Sequence, residues 1–191
     1  DPRLAHWFAQ NAVVDHPKLT PLPIGIANAQ WPHGAVDALL AACKGAANTQ
    51  YDALYCNFDV RTNPQVRVPL QRQLSQLPFV TAAPARPFPE YLREMAQFRW
   101  CVSPPGNGVD CHRTWEALYL GVLPVTLRTP WSGRLHNQLP VVQVDDFGAL
   151  TKEMLMSESA RMAQQNHDFA PLTLRYWDGQ IAGKIAEIQM Q

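Results

Sequence analysis

What this chain lacks narrows it first. Its 16 lysines and arginines balance 16 aspartates and glutamates, so the formal net charge is zero, and no basic run appears. That absence argues against duplex nucleic acid or an anionic membrane surface as the main partner. No apolar stretch approaches the roughly 18 residues a membrane span needs, and no signal peptide is visible. The four cysteines, Cys43, Cys56, Cys101 and Cys111, form no CxxC pair. Zinc is therefore without support, and the thiols read as free and buried, which favours a reducing, cytoplasmic compartment; a disulfide or two is the alternative. There is no internal repeat and no low-complexity tract.

What is there can bury a core: 47% of the residues are hydrophobic and 17% charged. From Tyr51 onward strand patterns alternate with helix patterns. Tyr51 to Phe58 reads as a strand, and Pro64 to about Leu77 as a helix capped by Asn63. A strand at 79–81, a helix at 90–97, and strands at 100–102, 122–127 and 141–144 follow. The last two helices run from Phe147 to about Gln164, after Asp146 as N-cap, and from Leu172 to Gln189. Thr129 to Leu139 reads as a polar loop. This alternation predicts right-handed βαβ units, hence an α/β fold with a Rossmann-like parallel sheet flanked by helices over 51–191. The segment 1–50 reads differently. It carries a short amphipathic helix around Leu4, Trp7 and Phe8, an edge strand at best within 19–26, a turn at Trp31 to Gly34, and a helix over 35–47.

The most informative stretch is Ser103 to Thr126, SPPGNGVDCHRTWEALYLGVLPVT. A strand stops at Ser103, Gly106-Asn107-Gly108 makes a turn, and Asp110 is placed to cap a helix over Cys111 to Leu120 that Gly121 ends. Helical spacing puts Cys111, Trp115, Leu118 and Val122 on a core face, and Arg113, Glu116 and Leu120 opposite. A glycine turn feeding a helix N-terminus is suited to anions, because backbone N–H groups and the helix dipole point at the ligand. Arg113 can add a bidentate contact to phosphate, and Glu116 can accept hydrogen bonds from a ribose diol. The ordinary alternative is a surface ion pair beside a tight turn.

This stretch resembles the donor-binding half of exostosin-like glycosyltransferases of the GT-B architecture. Ser103, Gly106, Arg113, Glu116, Ala117, Gly121, Pro124 and Val125 carry the resemblance over 99–126, and PLPIGIANAQWPHG extends it more weakly over 20–67. The resemblance implies a UDP- or GDP-sugar donor, with Glu116 on the ribose and Arg113 on the diphosphate, and an inverting transfer. It also implies a second domain for the acceptor, of which 1–50 is a remnant or link. If the chain is trimmed from a membrane-anchored precursor, the Golgi lumen is the alternative compartment.

The expected activity is metal-independent transfer of a sugar to a hydroxyl of a glycan or other acceptor, as in polysaccharide biosynthesis, with no cofactor beyond the nucleotide sugar. Arg113 and His112 would stabilise the leaving diphosphate, and Asp15, beside His16, is the candidate general base. Ser103, Gly106, Asn107, Gly108 and Asp110 would line the donor site. Asn57, Arg61, Asn63 and Arg67, at the end of the first strand, would face the donor or the cleft. Two other functions compete: a nucleotide-binding domain without catalysis, and an NAD(P) enzyme. The second is disfavoured because Cys111 replaces the third glycine of its fingerprint. Asp145-Asp146 resembles a metal-binding Asp-x-Asp but lacks the spacing, so Asp146 reads as a cap. Trp100 and Trp115 read as core.

Overall fold

The computed structural model describes residues 3–45 and 50–190. Five parallel strands form the central sheet: β3 (Tyr51–Cys56), β4 (Val80–Ala82), β5 (Phe98–Val102), β6 (Leu123–Leu127) and β7 (Val142–Val144), in the order β4-β3-β5-β6-β7. β5, β6 and the second half of β3 are buried, which is why their sequences are apolar runs rather than alternations, while the edge strand β4 is largely exposed. On one face α2 (Pro64–Leu74) and α6 (Lys152–Ala163) pack Leu70, Leu74, Leu155 and Met162 over Leu54, Trp100 and Val125. On the other, α1 (Val36–Lys44), α3 (Phe88–Met95) and α4 (His112–Tyr119) cover Tyr55 and Cys101. The expected Rossmann-like α/β fold is what the chain adopts. Trp100 and Trp115 are buried as expected.

The strand order carries a functional consequence. After β3 the chain turns to the face of α2, and after β5 to the face of α4, so the carboxyl ends of these two neighbours are a topological switch point. Parallel sheets of this kind take ligands there.

Several expectations are corrected. Residues 7–10 form a strand, β1 (Trp7–Gln10), paired in parallel with β2 (Leu19–Leu22), not a helix. The Leu4, Trp7, Phe8 spacing fits a helix locally, but pairing with a segment twelve residues on overrides it. The loop over 129–139 contains a helix, α5 (Pro130–Leu135), closed by a capping box in which Thr129 accepts from Ser132 N–H and Ser132 Oγ accepts from Thr129 N–H. Ser132 does the work usually given to glutamate in that box. Phe147 begins only a short 3-10 turn, capped by Asp146; α6 starts after Thr151, whose hydroxyl accepts from Met154 N–H. The helix expected over 35–47 ends at Lys44, and its last two residues, 46 and 47, lie outside the described residues. The final helix, α7 (Leu174–Gln189), is close to its expected span. Gly121 ends α4 with a φ of +71°, a conformation open to glycine at little cost. No helix among the described residues is long and apolar enough to cross a membrane.

Candidate functional site

Two loops meet at the switch point, one after β3 and one after β5, and Arg67 of α2 ties them together. It is buried, and its guanidinium donates to Pro105 O (2.9 Å), Pro104 O (2.8 Å), Asp59 O (2.9 Å) and Thr62 Oγ1 (2.6 Å). Asn63 Nδ2 adds long contacts to Pro105 O (3.5 Å) and Gly106 O (3.3 Å) instead of capping α2. Asn57 Nδ2 donates to Pro84 O (2.9 Å) and Tyr55 Oη (3.1 Å), anchoring the loop beyond β4. Arg61 is solvent-exposed and paired with Asp59 at 2.7 Å, which holds the Asp59 carboxyl down at about 2. These residues shape the rim with donors already engaged.

The glycine turn is also engaged. Gly106 N–H donates to Gly108 O (2.9 Å), closing the turn on itself. A Cβ on Gly106 would lie 2.8 Å from Arg67 Nη2, and one on Gly108 would lie 2.3 Å from Asn11 Oδ1. Glycine is needed at both positions because two side chains press on the turn. Asn107, at its tip, is exposed.

Asp110 is not the N-cap of α4; Cys111 holds that position. The buried Asp110 carboxylate accepts from Ile24 N–H (2.7 Å) and Trp115 Nε1 (3.0 Å), while its own N–H donates to Asn11 Oδ1 (2.9 Å). Burial pushes its pKa up to about 6, against the pull of these donors. The aspartate thus clamps the N-terminal segment to α4. His112 does the same through Nδ1, 2.7 Å from Gly25 O. Asp15 pairs with Arg134 of α5 at 2.6 Å, outside the α4 N-terminus, and His16 accepts from Lys18 N–H. Ser103 Oγ shares a buried hydrogen bond with Thr114 Oγ1 (2.9 Å).

Arg113 and Glu116 are not on an open face. Glu116 is buried and accepts from Tyr91 Oη of α3 at 2.9 Å; burial raises its pKa, and Arg113 and Tyr91 oppose that. The expected polar face of α4 turns toward α3. Arg113 is half-buried, yet its Nε is fully buried with no hydrogen-bond partner, and no ion pair among the described residues holds its guanidinium. Burial works against its charge, but Tyr91, Cys101 and Glu116 around it raise its pKa overall. It lies close enough to Arg67 to lower that residue's pKa, after burial itself. Two guanidinium groups therefore flank the switch point, one fully engaged and one not.

The structure also brings together residues that the sequence reading left out. Thr126, at the end of β6, and Trp131 and His136, of α5 and its C-cap, line a small cavity beside Ser103, Asp110 and Thr114. Thr126 Oγ1, Trp131 Nε1 and both His136 ring nitrogens are buried without hydrogen-bond partners among the described residues. The Thr129-to-Ser132 capping pattern was the signal that could have placed α5, and with it these side chains. A larger groove of about 560 Å³ runs outside α5, where its arginines are paired with acids: Arg128 with Asp145, and Arg161 with Glu158. The four cysteines are free thiols. Among the described residues no group of three or more His, Cys, Asp or Glu side chains could hold a metal ion. Comparison of the chain with protein-family models and with curated proteins finds no match to either.

Proposed function

We propose that the chain binds the diphosphate of a nucleotide sugar at the β3/β5 switch point and serves as the donor half of a glycosyltransferase. The observation that carries this reading is the unpartnered Arg113 guanidinium at a parallel sheet's switch point. A buried guanidinium edge without an acceptor is costly, and a phosphate oxygen would satisfy it with a charge-assisted hydrogen bond. Arg67 strengthens the field without competing for the ligand, because backbone carbonyls take its donors. The resemblance to exostosin-like GT-B enzymes over 99–126 points to the same helix.

In the transfer, the bond from the sugar's anomeric carbon to the diphosphate oxygen breaks as the acceptor oxygen bonds to that carbon. The acceptor proton passes to a base and the nucleoside diphosphate departs. Arg113 would stabilise the charge growing on the leaving diphosphate. Glu116 would reach a ribose only by exchanging its Tyr91 hydrogen bond. Because Asp15 is held by Arg134, a nucleotide-binding domain without catalysis is the second reading.

Calorimetry with UDP, GDP and their sugars tests the site, and release of free sugar from the bound donor tests the chemistry. Arg113→Ala should weaken diphosphate binding by about 10- to 150-fold, the equivalent of one hydrogen bond to a charged group, about 1.5–3 kcal/mol. Equal affinity in wild type and variant, or no binding of either nucleotide, would refute the proposal.

A further inference from the structure

The cavity at the ends of β5 and β6 has a volume of about 30 Å³ and is partly open to solvent. A water-sized group needs about 10–15 Å³ by the same measure, so there is room for about two non-hydrogen atoms. Its walls are unusual in one respect. Thr126, Trp131 and His136 are each more than nine-tenths buried, and each presents polar atoms with no partner. Native interiors rarely leave such groups unsatisfied.

The inventory of those atoms selects the ligand. Trp131 Nε1 can only donate, Thr126 Oγ1 donates and accepts, and a neutral His136 offers one donor and one acceptor. Among the described residues no lysine or arginine lines the cavity, so an anion would lack a counter-charge there. The one acid, Asp110, already accepts from Ile24 and Trp115. An apolar group would leave all four atoms unpaired. A neutral group that both donates and accepts, with two heavy atoms, fits: a hydroxymethyl or a ring hydroxyl on its carbon.

We propose that this cavity binds a hydroxyl-bearing arm of a sugar, with Thr126, Trp131 and His136 as its hydrogen-bonding partners. The inference rests in part on the donor reading, since β5 belongs to both sites and adjacent strands lie only about 5 Å apart. A sugar attached to a diphosphate at the switch point is within reach of this cavity. The same chemistry could come from the donor sugar or from an acceptor sugar.

The test follows the indole N–H resonance of Trp131, assigned by its loss in Trp131→Phe, in the full chain. Free glucose, galactose, mannose and N-acetylglucosamine are titrated first, then UDP and GDP, then their sugar conjugates. The expected result is movement of that resonance by a sugar, with affinity weakened about fivefold or more in the near-isosteric Thr126→Val variant, whose spectrum also reports its folding. Movement by a conjugate but by no free sugar assigns the arm to the donor; movement by a free sugar alone assigns it to the acceptor. A resonance unmoved by any free sugar, and no different with conjugate than with nucleotide alone, overturns the proposal and leaves a cavity for water. If no nucleotide binds while a free sugar moves the resonance, the diphosphate reading fails and the cavity assignment stands.

Discussion

Asp110 and His136 line one cavity, are both 3% exposed, and respond to burial in opposite directions. Burial raises the Asp110 pKa from 3.8 to about 6 and lowers that of His136 from 6.5 to about 4. Between about pH 4 and 6 the folded chain therefore keeps a proton on Asp110 that the unfolded chain has released, so this group's contribution to stability falls as pH rises. Between about pH 4 and 6.5 the unfolded chain protonates His136 while the folded chain does not, so that contribution rises with pH. At about 1.4 kcal/mol per pKa unit, each effect amounts to about 3 kcal/mol across the window, and the two nearly cancel. Removing one partner exposes the other. In urea unfolding followed by tryptophan fluorescence, His136→Phe should lose about 3 kcal/mol between pH 4 and 6. Asp110→Asn should gain about as much between pH 4 and 6.5. With a slope of about 2 kcal/mol per molar, these are midpoint shifts of about 1.5 M, well above error. The wild type should change little from these two groups. Parallel pH profiles in all three proteins would refute the reasoning.

Arg67→Met should cost at least about 3 kcal/mol in the same assay, because it strips donors from the carbonyls of Asp59, Pro104 and Pro105 and frees the two loops. A midpoint within error of wild type would show that the loops hold without it. Gly106→Ala should lower stability by about 1–3 kcal/mol, since its Cβ would meet an Arg67 guanidinium fixed by those carbonyls and unable to swing away. Thermal melting reads this loss, and an unchanged Tm would mean the turn can shift as a unit.

Much of the fold is readable along the chain. Tyr51 to Cys56, Phe98 to Val102 and Leu123 to Leu127 announce themselves as short apolar runs bounded by turn residues, and Pro64 and Gly121 mark helix ends. The stretch 103–126 is readable as a strand end, a glycine turn and a helix, although nothing in it tells that the Arg113 Nε is buried without a hydrogen-bond partner among the described residues. The roles of its neighbours were not readable. Asp110 has the composition of a cap, yet its carboxylate takes a backbone N–H 86 residues away. Glu116 has the spacing of a solvent-facing ligand residue, yet Tyr91 of another helix covers it. Trp131 and His136 sit in a stretch polar enough to pass for a loop.

The division follows the range of the forces. Strand and helix signals arise from residues within about four positions of each other, so the sequence by itself determined the alternation of strands and helices from Tyr51 onward that makes a parallel α/β sheet, but not β1 or α5. Strand order, the switch point, and the contacts that bury Arg67, Asp110 and Glu116 against Pro104, Ile24 and Tyr91 depend on residues tens of positions apart. Those were decided only when β5 settled between β3 and β6, α4 turned its polar face onto α3, and Asn11 and Ile24, just beyond the N-terminal strands, closed over Asp110.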